Sequence, residues 1–549
     1  MRTPRAAALA LLLACPARAA GPSHPLEPLS GDEIRQAAAL VRAASDFPKG
    51  GLFAALVLRE PPKAEVLAWK GGAFRREAFA VVLDSERNAT YEAVADLAGA
   101  RLSSWRRVPA AQPGQLESEF LKGPEIVKKD PRWQAAMRRR GIADFDKVHV
   151  DLWAPGHIRE KELLGPRIFR AVFYYQGDST YYYARPIEGV SALVDMNARK
   201  VISVTDRELV PIAKDDGAFH AAAVGPLRTP PKPLEIVQKL GPSFEVRGNE
   251  VRWQNWRFRF ALHPREGLVL YQVGYDDHGR LRPILYRASL SEMVVPYGDP
   301  DPDWEWRSAF DAGEYGVGQM ASPLDRGRDV PENAALFDAT IADENGAAQA
   351  LPQAVALYER DGGMLWKHYN SDQKVNESRR GRELVIGFLT SVGNYDYGLN
   401  WVFRQDGSLE FVGELTGIML AKGVKAENVA ELGHEGAHSG HLVAPNVAAP
   451  HHQHFFNVRL DFDVDGVSNS AMEMETSPLA GAANPYGNAF TMRETLLPTE
   501  KAARRDLDLA TQRKWKIVSS SRSALGYPTG YVLVPGDNSV PYALPGSLV

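Results

Sequence analysis

Apolar and polar residues alternate with a strand-like period of two through most of the chain beyond residue 230, whereas helical periodicity is confined to the first 140 residues. Ser30 precedes the periodic run Ile34 to Ala43, with Glu33 three residues after it, so a capped helix is expected to start there. Phe53 to Glu60 and Ala78 to Leu83 read as strands, and Thr90 to Leu97 as a second helix. After the linker-like Ala110 to Gly114, a similar order returns. Helical stretches at Glu125 to Lys128 and Pro131 to Arg140 precede strands at Val148 to Trp153, Ile168 to Tyr175, Tyr181 to Ile187 and Val190 to Asp195. Four prolines between Pro226 and Pro233 mark a further boundary. Beyond it the predicted strands are Arg257 to Leu262, Leu268 to Tyr275, Pro283 to Leu290, Glu383 to Val392, Leu399 to Arg404, Ser408 to Thr416 and Phe455 to Asp461. Short strands separated by Asp-Gly turns predict a large antiparallel β domain behind two small α/β modules.

Composition agrees with a turn-rich globular chain: 549 residues, 44% hydrophobic, 24% charged, with 47 glycines and 38 prolines. A net charge of -4 gives no basic excess for nucleic acid or an anionic membrane. Arg2 and Arg5 ahead of the apolar run Ala6 to Ala14, then Ala17-Arg18-Ala19, read as a signal peptide over 1–19, so the protein is expected to be exported, periplasmic or extracellular. The run is too short for a transmembrane span. Cys15 is the only cysteine and sits in a stretch that also resembles a lipoprotein site. Cleavage after it would leave no disulfide, no thiolate metal ligand and no cysteine nucleophile. Any metal is then held by His, Asp or Glu.

Two segments offer such ligands. His452 and His454 are two residues apart, a spacing that in a strand turns both imidazoles to one face. His434-Glu435-Gly436-Ala437-His438 matches the H-E-x-x-H pattern of zinc proteases, but Gly433, Gly436 and Gly440 disfavour the helix that chemistry needs. We expect a glycine-rich loop there. Tyr395, in Ser391-Val392-Gly393-Asn394-Tyr395-Asp396-Tyr397-Gly398, would by itself be a core or turn tyrosine.

Several segments together carry a resemblance. They are Val294 to Pro300, Ala309-Phe310-Asp311-Ala312-Gly313-Glu314-Tyr315-Gly316, Leu365 to His368, Arg382 to Ile386, Asn394 to Tyr397, and Ala449-Pro450-His451-His452-Gln453-His454 running on to Asp461. In order and in kind these are similar to the copper-containing amine oxidases. The resemblance implies a mainly β fold: α/β modules over 25–112 and 116–215, then a catalytic antiparallel β-sandwich over 230–549. It implies a homodimer that uses copper and dioxygen to convert a primary amine into aldehyde, ammonia and hydrogen peroxide. Tyr395 matches the tyrosine oxidised to topaquinone, whose carbonyl takes the amine as a Schiff base. Asp311 matches the base that removes the α-proton, Tyr297 the residue that hydrogen-bonds the quinone, and Asn394 one that orients it. His452 and His454 match copper ligands. Asp461, Phe462 and Asp463 match a peripheral calcium or manganese site. Ala309 stands where the family often has a bulky aromatic gate, so a wider entrance is expected.

The resemblance also implies a third copper histidine on a later strand, yet no histidine follows His454 before Val549. The expectation is therefore a catalytic domain truncated at its C-terminus and a site one ligand short. Three readings stay open: a fragment of an ordinary enzyme, a site completed by His438 or His441, or an inactive homologue that binds or dimerises.

Overall fold

The computed structural model describes residues 21–158, 161–432, 439–536 and 538–547. The signal-peptide reading and the H-E-x-x-H segment lie outside them. The N-terminal module runs α1 (Gly31–Arg42), β1 (Leu52–Arg59), α2 (Lys63–Ala68), β2 (Glu77–Asp84), β3 (Ala89–Asp96) and β4 (Arg101–Val108), its strands forming one antiparallel sheet in that order. Ser30 caps α1 as expected: its hydroxyl accepts from Glu33 N at 3.3 Å, while the Glu33 carboxylate accepts from Ser30 N at 2.8 Å.

One expectation fails here. Thr90 to Leu97 is not a helix but the interior strand β3, paired with β2 and β4. The Asp84 side chain accepts from the backbone N–H groups of Glu86 and Arg87, and Asn88 takes a left-handed φ of 47°. That tight turn folds the chain back on β2, and ladder pairing on both sides outweighs weak local propensity.

The second module holds α3 (Glu117–Lys128) and α4 (Pro131–Arg139) against the sheet β5 (Val148–Trp153), β6 (Ile168–Tyr175), β7 (Val190–Asp195) and β8 (Lys200–Asp206). Tyr181 to Ile187, expected as a strand, touches the sheet through one bridge, Tyr174 to Pro186. Pro186 has no N–H to donate, and Tyr181, Tyr182 and Tyr183 pack on one another rather than alternating across a sheet.

Two large antiparallel sheets follow. The first contains β9 (Phe244–Arg247), β10 (Glu250–Trp253), β11 (Trp256–His263), β12 (Gly267–Asp277), β13 (Arg280–Pro296) and β14 (Ser308–Phe310). The second contains β15 (Ala335–Ala342), β16 (Ala348–Asn370), β17 (Val375–Val392), β18 (Tyr395–Arg404) and β19 (Leu409–Gly417). They share one apolar core, with Trp256 and Phe258 meeting Trp401 and Phe403. Phe258 stacks on Phe403 at 4.2 Å between ring centroids. This is a β-sandwich. A small sheet follows from β20 (Lys422–Gly423), β21 (Gly440–Ala444) and β22 (Val447–Pro450). Then β23 (Phe455–Phe462) joins the first large sheet beside β13. A last sheet of β24 (Asn469–Pro478), β25 (Phe490–Leu496), β26 (Lys514–Arg522) and β27 (Pro528–Leu533) was not foreseen, because polar residues such as those of Asn469 to Ser477 hide its alternation.

Candidate active site

Strand pairing brings the site together. Near the end of β13, Val294 pairs with Phe455 of β23 on one side and with Phe310 of β14 on the other. The residues just beyond those pairs therefore emerge at one corner of the sheet: Tyr297 after β13, Asp311 after β14, and His452 and His454 before β23. Tyr297 and His452 form a bridge of their own, with rings stacked 5.0 Å apart. Asp311 opens a wide helical turn, Asp311–Tyr315, held to β13 where the Ala312 and Gly313 N–H groups donate to the Glu292 carboxylate at 3.0 and 3.1 Å.

The facing sheet supplies Tyr395, the first residue of β18. The two-residue turn Gly393-Asn394, with Gly393 at φ 58°, reverses β17 into β18. Its phenol oxygen lies 3.2 Å from His452 Nε2, accepts from Tyr297 Oη at 3.3 Å and accepts from Leu420 N at 3.0 Å. Asn394 is buried: its Oδ1 accepts from Tyr181 Oη at 3.1 Å, and its Nδ2 has no partner among the described residues.

The histidines stand just before the strand expected at Phe455 to Asp461, which forms as β23. They follow β22, which ends at Pro450 paired with Gly440. Their rings are neighbours, 5.0 Å apart. His452 Nδ1 donates to the Pro450 carbonyl at 2.9 Å, which fixes the tautomer and leaves the Nε2 lone pair facing the Tyr395 hydroxyl. His454 Nδ1 sits 3.3 Å from Tyr397 Oη, and that hydroxyl donates to Asp311 Oδ2 at 3.4 Å. A phenol has one proton to give, so His454 Nδ1–H donates to Tyr397 and the His454 Nε2 carries a lone pair. Burial, and then His452, push the His454 pKa down to about 4, which keeps the ring neutral as a ligand must be.

Two imidazoles beside a phenol suit a borderline divalent ion such as copper. Among the described residues no group of three His, Cys, Asp or Glu converges as a metal site, and His441 is exposed on β21. Asp461, Phe462 and Asp463 end β23 and its following turn, but they do not fit calcium or manganese. Lys63 Nζ lies 2.7 Å from Asp461 Oδ1 and 2.6 Å from Asp463 Oδ1, so an ammonium already faces both carboxylates.

Asp311 is 3% exposed. Burial raises its carboxyl to about pH 7, opposed by the Tyr397 hydrogen bond and assisted by the nearby Glu292 charge. Glu314 is raised by burial to about 8. Tyr397 was missed in the sequence, although its two-residue offset from Tyr395 puts it on the same strand face.

A cavity of about 1060 Å³ leads to these groups. Tyr395, Asp311 and Tyr297 line one part of it. Ala309 and residues of both N-terminal modules, such as Phe53 and Tyr182, line the rest.

Comparison with known proteins gives this geometry its setting. The copper amine oxidase enzyme domain matches residues 245–549, its N2 domain residues 24–108 and its N3 domain residues 118–220. A primary amine oxidase of Arthrobacter sp. (strain P1) is 38% identical over 94% of this chain and 78% of its own length. The histamine oxidase of Arthrobacter globiformis is 37% identical over 94% of this chain and 75% of its own length. The crystal structure of a copper-containing benzylamine oxidase from Hansenula polymorpha superposes with a TM-score of 0.85 at 24% identity, covering 95% of this chain and 84% of that one. None of these matches supports a zinc protease. The chain belongs to the copper amine oxidases, enzymes that oxidatively deaminate primary amines.

Proposed function

We propose that His452 and His454 hold copper through Nε2, that Tyr395 is the precursor of topaquinone, and that Asp311 is the general base for a primary amine bound in the cavity. The single observation that carries this reading is the Tyr395 hydroxyl, 3.2 Å from an imidazole nitrogen whose other nitrogen is committed to Pro450 O. Copper and the quinone, when bound, supply an electrophilic carbonyl for the amine and passage of its electrons to dioxygen.

The protein's own groups do the rest. Asp311, raised to about 7, is both ionised and basic enough near neutral pH to take a proton from carbon at Oδ2 or Oδ1. Tyr397 donates to its Oδ2 and aims the carboxylate. Tyr297 fixes the Tyr395 ring through its hydroxyl, and Asn394 flanks it with an Nδ2 that has no partner among the described residues. Buried Trp304, Trp153 and Tyr297 keep bulk water from that side.

The experiment is aerobic addition of copper to metal-free protein. A visible quinone band, a redox-cycling stain and peroxide release with an amine are expected, all absent in Tyr395→Phe. Copper uptake by the native protein without a band would overturn the assignment.

The homodimer reading is supported by the long hairpin β16–β17, whose outer part exposes Met364, Leu365, Trp366 and Tyr369. Light scattering that returns a monomer mass would remove it. Export is supported by the sequence of residues 1–19 alone. A periplasmic or secreted product whose intact mass starts near Ala20 is expected, and a cytoplasmic chain retaining Met1 would refute it. No helix among the described residues is long and apolar enough to cross a membrane.

A further inference from the structure

Lys63 opens α2 in the N-terminal module, nearly four hundred residues from the carboxylates it meets. Its helix lies on the outer face of the first large sheet, where Val66 packs with Leu26, Ala261, Tyr271 and Tyr286. From there the Lys63 ammonium reaches Asp461 Oδ1 at 2.7 Å and Asp463 Oδ1 at 2.6 Å, and lies 4.9 Å from the centre of the Tyr286 ring. Asp463 is 3% exposed, and Asp461 and Asp463 stand two residues apart, so their charges are close and of one sign. Without a cation between them they would repel in a partly desolvated place.

Two arginines nearby are already engaged. Arg282 pairs with Asp465 and Asp277, and Arg287 with Glu60 and Glu266. Among the described residues, Lys63 is the cation paired with Asp461 and Asp463. Desolvation works against its charge, but hydrogen bonds to Asp461 and Asp463 outweigh it and hold its pKa above the ordinary lysine value. A lysine ammonium is a compact charge with three donors, which suits two carboxylate oxygens in the space of one small ion.

We propose that Lys63 is the resident cation of the Asp461–Asp463 site: its ammonium takes the place of a divalent metal and clasps the N-terminal module to the strand that follows the histidine pair. The site is then independent of calcium and manganese, and its strength depends on a residue of another module. Glu60, three residues before Lys63, makes a second clasp on the same face by accepting from Tyr271 Oη at 2.7 Å and Arg287 Nε at 3.0 Å.

The test uses the full, copper-loaded chain with calcium chloride or manganese chloride as probe, and EGTA as the chelator. The native protein should retain no calcium or manganese after gel filtration, and its Tm should be unmoved by either salt or by EGTA. Lys63→Met, which keeps the aliphatic stem, should lower Tm and make it rise again with calcium. Adding Asp461→Asn to Lys63→Met should abolish that rise. One equivalent of calcium bound by the native protein, and lost in Asp461→Asn, would overturn the proposal. So would a Lys63→Met protein with native Tm and no response to calcium. The native titration decides the matter even if Lys63→Met does not fold.

Discussion

Asp311 is a carboxylate whose burial sets its usefulness. At about 7 its pKa is near enough to neutrality that the ionised form is available and still basic. Asp311→Asn keeps the shape and removes the base. Its kcat with a simple amine should fall by about 10²–10⁴, with copper content and quinone band retained; unchanged turnover would exclude Asp311 as the base. Tyr397 lowers the Asp311 pKa by donating to Oδ2. Removing the donor destabilises the carboxylate, so in Tyr397→Phe the acid limb of kcat/KM should move to higher pH. A limb that stays in place would show that Tyr397 does not hold the base. At this scale much was visible in the sequence. Tyr395, Asp311, Tyr297 and the two histidines were all named from motif order, and the fold places them in mutual contact or one residue apart. Tyr397 was not, since nothing in a Tyr-x-Tyr pair says that one hydroxyl will lie between a carboxylate and an imidazole.

Among the elements, the junction of β17, β18 and β19 holds Tyr395 in register. Gly417 pairs with Tyr395 at φ 93°, and a Cβ there would lie 2.5 Å from Asn394 O. Gly417→Ala therefore meets both backbone strain and a clash, a cost of about 1–3 kcal/mol. Urea unfolding should show that loss, and the yield of quinone per copper should drop, because the ring no longer meets His452 squarely. Full yield would mean that the turn tolerates displacement. Strands with clean alternation, such as those around Arg257 to Leu262 and Leu399 to Arg404, were legible because one face of each is in the common core. β3 was not. Residues such as Ala89, Ala93 and Ala95 satisfy a helix as readily as a strand, and only the Asp84 turn and the neighbours on both sides decide between them. The strand from Phe455 was legible too, but not that the Pro450 carbonyl and a bridge to Tyr297 would hold His452 just before it.

At the scale of the whole molecule, the cavity is a joint product of three modules. Ala309 is paired to Val295 and lines it. Ala309→Phe should lower kcat/KM for benzylamine-sized substrates by about tenfold or more, leaving methylamine nearly untouched. Equal loss for both would place the approach elsewhere. The order of modules was readable from prolines and periodicity, but their mutual packing was not. No local pattern shows that Lys63 will meet Asp461, or that Phe53 N will donate to Glu344 O at 2.8 Å.

That shared cavity separates two properties that a single-domain enzyme would mix. Tyr395, Asp311 and the histidines belong to the sandwich alone, whereas Phe53 on β1 and Tyr182 of the second module shape the approach. Reactivity is thus encoded in the sandwich, while selectivity is shared between Ala309 there and the N-terminal stretches of the gene. The first module, which holds Phe53 but not Tyr181 or Trp153, can drift or be exchanged and so retune which amines are admitted, provided that the newcomer brings its own lysine for Asp461 and Asp463.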